Sequence, residues 1–93
     1  MTSIRRPAVA GMFYPDRPAV LQRTVAELLA HPEGASLPRP PKALIVPHAG
    51  YVYSGPVAAS AYAQLEGMRG RIRRVVMLGP AHHVFVRGLA LPE

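Results

Sequence analysis

The chain has no cysteine, no tryptophan and only five acidic residues, Asp16, Glu27, Glu33, Glu66 and Glu93, among 93. Without cysteine there is no disulfide and no thiolate metal site within these residues. That usage is compatible with a cytoplasmic location. Aromatic residues make up 6% of the chain, and none is interleaved with the one basic cluster, Arg69, Arg71, Arg73 and Arg74. Single-stranded nucleic acid is bound by stacking on such interleaved rings, so the formal charge of +6 reads as a solvated basic surface. Nucleic acid is not the expected partner. Long apolar runs are missing as well, so no segment approaches a bilayer span and no membrane association is expected. The short apolar stretch after Arg5 and Arg6 is broken by Gly11, which argues against a secretory signal.

What the chain does have is a hydrophobic fraction of 49%, enough for a packed core. Its patterning alternates between helical and strand type. Pro18 lies near a first helical position, and Asp16 is suited to cap it. Val20, Leu21, Val25, Leu28 and Leu29 then recur at helical spacing, which predicts a helix over 18–30. His31 follows its last turn, where it interacts favourably with the helix end. Four prolines, Pro32, Pro38, Pro40 and Pro41, mark a surface connection. Lys42 to Val46 is a short, mostly apolar run of the buried-strand type. After a polar loop, the run from Pro56 to Leu65 is helical in pattern, with Ser54 or Gly55 as its cap and Val57, Ala58, Ala61, Tyr62 and Leu65 on one face. Arg73 to Leu78 is a second strand candidate, and Arg87 to Leu91 could begin a third.

The order strand, helix, strand is a βαβ unit, which is parallel and right-handed in nearly all cases. The expected fold class is therefore α/β. Two parallel strands leave both edges of their sheet open. Residues 1–93 are accordingly expected to be the N-terminal portion of one larger domain, with a flanking helix on the sheet. A small domain completed by oligomerisation is the alternative.

Both strand candidates run into histidine. Pro47-His48-Ala49-Gly50-Tyr51-Val52-Tyr53-Ser54-Gly55 follows the first, and Gly79-Pro80-Ala81-His82-His83 follows the second. In a βαβ unit these loops share one edge of the sheet, where α/β proteins place ligands. His48 and His82 can then reach one point. Two neutral imidazoles suit Zn, Cu, Fe or Ni better than Mg or Ca. The following helix would direct its N-terminus to the same edge, favouring an anionic ligand. His83 has a supporting role, because adjacent residues of an extended chain point apart. Tyr53 and Ser54 either orient a ligand or satisfy loop backbone groups, and Tyr51 is expected to pack. None of the five acidic residues falls at this edge, so a third ligand is expected from outside the chain.

Together with Ala8-Val9-Ala10-Gly11-Met12-Phe13-Tyr14-Pro15, these two loops resemble the Memo-like family, whose bacterial and archaeal members are called AmmeMemoRadiSam system protein B. The resemblance spans nearly the whole chain and the first third or so of a typical member. It implies a fold similar to the class III extradiol ring-cleaving dioxygenases, which hold a non-haem Fe(II). It matches His48 and His82 to two metal ligands, and Phe13 and Tyr53 to aromatic positions near the metal. It implies Fe(II) as the cofactor, with Cu or Zn as alternatives, and a third ligand from later in the family's sequence. Two functions follow from it: an iron-dependent oxidoreductase acting on an aromatic diol, or a non-enzymatic protein that binds metal or a peptide as the partner of a radical-SAM system. The site-lining set for either is Phe13, Tyr51, Tyr53, Ser54 and His83.

Overall fold

Pro18 to Ala30 forms α1, with the boundaries that its apolar spacing predicts. The computed structural model of the chain describes residues 3–92. The residue that precedes α1 as its N-cap is Arg17, in extended conformation, and no side chain caps the helix. The expectation for Asp16 is thus off by one residue. Pro18 supplies the preset φ at the first turn and has no N–H to satisfy. The carboxylate of Asp16 turns back instead toward Gly11, where a Cβ would lie 3.2 Å from Oδ2. Gly11 has φ +82°, a conformation that glycine adopts without steric cost. It allows a tight turn in which the Gly11 N–H donates to the Tyr14 carbonyl at 2.7 Å and the Phe13 N–H to the Val9 carbonyl at 2.9 Å. The segment before α1 is therefore an ordered arm closed on itself.

The second helix, α2, runs from Tyr51 to Tyr62. It begins five residues before the predicted start at Pro56. Gly50 is its N-cap, and Tyr53 and Ser54 donate their backbone N–H groups to the Gly50 carbonyl at 2.9 and 3.0 Å. Ser54 is consequently not a cap. Its buried hydroxyl donates back to the Ala49 carbonyl at 2.7 Å. Pro56 lies inside the helix; near the start, its missing N–H removes only a bond to the exposed first turn. The chain then tightens into a 3₁₀ turn, Ala63–Met68, and leaves through Gly70 at φ +78°.

The two helices pack on each other, and the buried residues of α2 are Ser54, Gly55 and Ala59. A Cβ on Gly55 would stand 3.1 Å from a Leu28 methyl carbon, so the absence of a side chain there sets how closely α1 approaches. This contact face is rotated from the predicted one, and Val57 is exposed. The proline-rich connection is held by one side chain of α2 and one of the 3₁₀ turn, four residues apart. Ser60 Oγ accepts from the Glu33 N–H at 3.0 Å, and Gln64 Oε1 accepts from the Leu37 N–H at 2.8 Å.

The apolar runs behave differently. Among the described residues the one β-type contact is an isolated bridge, Ala10 with Tyr14. Residues 42–46, 73–78 and 87–91 belong to no ladder, so the predicted strand pairing is not formed here. A strand's N–H and C=O groups can be paired only by another extended segment, and none of these runs lies in ladder register beside another. Ile45, Val76 and Met77 are largely exposed. No helix among the described residues is long and apolar enough to cross a membrane.

Candidate metal centre

The loops that follow the two apolar runs converge. His48 Nε2 and His82 Nε2 lie 3.2 Å apart, and the ring centroids are 5.3 Å apart with planes tilted by 39°. The two residues are 34 positions apart in sequence. The chain between them, with α2 and the 3₁₀ turn, returns to its starting point, so that the ends of both runs lie at one place even without a sheet. With one ring in each donor and acceptor role, an Nε2–H of one imidazole can donate to the lone pair of the other. With both nitrogens unprotonated, the two lone pairs are available to one cation.

The separation can be tested against that second arrangement. Imidazole nitrogens bind a transition metal at about 2.0–2.1 Å. Two such nitrogens on one metal stand roughly 2.9 Å apart for a right angle and roughly 3.4 Å for a tetrahedral one. The observed 3.2 Å falls between, and imidazole is a suitable donor for Fe, Zn, Cu or Ni. The pair fits a metal. Among the described residues no group of three His, Cys, Asp or Glu side chains is placed to hold one. The chain thus brings two donors and no third.

The surroundings divide into residues near the pair in sequence and residues that support it. His83 is a neighbour, its ring 6.3 Å from that of His82. Tyr53 belongs to the first turn of α2, and its side chain is 85% exposed, free to meet a ligand. Ser54 is committed to backbone carbonyls and so holds the His48 loop instead of facing a ligand. Tyr51 packs on Tyr14 with ring centroids 5.8 Å apart. Phe13 acts through its backbone: its carbonyl accepts the Tyr51 N–H at 2.8 Å, while its ring is partly exposed. That bond ties the arm to the start of α2, and it occupies an N–H that the helix itself cannot satisfy.

Two contributors escape sequence reasoning. Gly50 lets the arm come close, since a Cβ there would be 3.4 Å from the Phe13 carbonyl oxygen. Tyr14 supplies the ring on which Tyr51 rests. The signal for Gly50 was its suitability as an N-cap four residues before a serine able to bond back to it. An open concavity of about 650 Å³ lies elsewhere, lined by Leu29, Tyr62, Leu65, Met68 and Ile72 among others. It carries no histidine, so the candidate chemistry rests with the imidazole pair.

The family model described as Memo-like protein matches residues 5–93. MEMO1 family protein MTH_45 of Methanothermobacter thermautotrophicus is 45% identical over 98 aligned residues, covering 97% of this chain and 34% of the relative. MEMO1 family protein MJ0403 of Methanocaldococcus jannaschii is 42% identical over 101, covering 100% of this chain and 35% of the relative. A MEMO1 family protein of Metallosphaera sedula is 45% identical over 86, covering 84% and 30%. The chain spans about a third of the length of these curated relatives. No solved structure matches it.

Proposed function

Because this chain belongs to the Memo-like protein family, we propose that His48 and His82 hold a metal ion, Fe(II) before Cu or Zn, at the heart of an oxidoreductase site of the extradiol dioxygenase type. The observation that carries this reading is the 3.2 Å separation of the two Nε2 atoms. When bound, the metal would supply the activation of O₂ and of an aromatic diol. The chain's own residues do the rest. His48 and His82 present neutral nitrogens. Ser54 and the Phe13 carbonyl fix the loop that carries His48. The N-terminal end of α2, which begins three residues beyond His48, favours a developing negative charge on the ligand, and the Tyr53 phenol can orient it. The third donor comes from polypeptide equivalent to the remainder of the relatives.

The exposure of both rings supports a second reading. A site open to solvent suits a non-enzymatic metal- or peptide-binding role, as the partner of a radical-SAM system, in the cytoplasm.

The test is anaerobic loading with Fe(II), followed by measurement of bound iron in the parent, His48→Ala, His82→Ala and the double variant. Loss of a residue that merely orients a ligand costs 10–100-fold in affinity, so each single variant is expected to lose at least about 100-fold. Catechols and O₂ are then added. Ring cleavage with O₂ uptake supports the oxidoreductase, and iron retention without turnover supports the binding protein. Equal iron content in parent and double variant would overturn the metal site on which the oxidoreductase and the metal-binding protein both rest. Protons compete with metal for imidazole, so acidification is expected to release the iron.

A further inference from the structure

We propose that two copies of this chain share one divalent transition-metal ion, His48 and His82 of each copy supplying the four donors of a tetrahedral site. The proposal rests on the metal reading above and adds the partner that completes the site.

Coordination number is the first ground. With imidazole nitrogens at about 2.0–2.1 Å from a metal, the 3.2 Å between the two Nε2 atoms sets a nitrogen–metal–nitrogen angle of roughly 100–105°. That angle is nearer to tetrahedral than to square. A tetrahedral site takes four donors, so an ion on one chain still lacks two. Among the described residues no group of three His, Cys, Asp or Glu side chains can hold an ion. A second copy brings two more imidazoles at the same separation.

Access is the second ground. His48, His82 and His83 are exposed. Their neighbours in sequence include Ala49, Gly50, Gly79 and Ala81, which add little bulk around the pair. Charge is the third. The chain carries +6, which opposes self-association. Yet no charged residue occurs in 43–65 or in 75–86, the two stretches that hold the histidines. The centre of a protein interface is likewise depleted in charge and enriched in aromatic residues. Tyr53 and Phe85, 85% and 91% exposed, stand near the pair in sequence.

Two identical faces on one ion are related by a twofold axis through the metal, the commonest closed symmetry of homo-oligomers. Association therefore stops at two. Stoichiometry follows by mass action. When metal is scarce, one ion holds two chains. When it is plentiful, each pair takes an ion of its own and the dimer comes apart. A third donor from polypeptide equivalent to the rest of the relatives would displace the second copy in the same way.

The test is sedimentation velocity during titration with Zn(II), beside proton–nitrogen NMR of the histidine rings. The chain should be monomeric without zinc, form a dimer that is maximal at one ion per two chains, and return to monomer in large excess of zinc. A chelator should dissociate the dimer, a check that needs no substitution. His48→Ala and His82→Ala should each lower the dimer fraction at least about tenfold, with helical circular dichroism retained. His31→Ala should leave the fraction unchanged. Shifts of both Nε2 resonances with a monomer at every ratio would overturn the sharing and leave the metal reading standing. Shifts of neither would overturn both. A dimer that survives chelator or forms in the double variant would also overturn the sharing, because its contacts would not run through the metal.

Discussion

The helical half of the molecule and its apolar runs have similar hydrophobic content and opposite fates. In the interior of α1 and α2 the backbone groups find their partners four residues away, and Gly55 leaves room for Leu28 to approach. The runs at 42–46 and 73–78 are as apolar, but a strand's partners lie on another stretch of chain. The same composition is therefore folded where hydrogen bonding is local and exposed where it is not. Hydrophobicity alone does not decide burial; the distance to the hydrogen-bond partner does.

The contrast can be broken most severely at the helix pair. Gly55→Leu puts a branched side chain where a Cβ already stands 3.1 Å from Leu28. Overpacking of this kind costs about 1–3 kcal/mol, read as a lower urea midpoint of the helical circular dichroism. A milder break is Ser54→Ala. It removes the hydroxyl bond to the Ala49 carbonyl and is expected to cost about 1 kcal/mol by the same measurement, while loosening the loop that carries His48. The smallest effect sharpens the comparison from the other side. Val76→Asp in the chain alone should shift the helical midpoint by no more than about 0.5 kcal/mol, because that side chain is 87% exposed. A large shift would show that the run already packs on the helices.

Local signals were the legible ones. The apolar spacing of Val20, Leu21, Val25 and Leu28 gave α1 to the residue. The start of α2 was misplaced because Pro56 and Ser54 look like N-terminal signals, and their actual roles depend on Gly50, whose value lies in a contact with Phe13 more than thirty residues away. The meeting of His48 and His82 followed from strand-helix-strand order, and the structure brings the two together. The pairing expected to cause that meeting is not formed among the described residues. The part played by Phe13 was legible only as a position: its backbone carbonyl, not its ring, makes the contact with α2.

The most direct test of the imidazole pair is long-range proton–nitrogen NMR of the histidine rings during titration with Zn(II), a diamagnetic substitute for iron. The account predicts that the Nε2 resonances of His48 and His82 shift together, saturate at one metal per chain, and leave His31 unchanged. Independent shifts for His48 and His82, or a response shared equally with His31, would contradict a single site built from the ends of the two apolar runs.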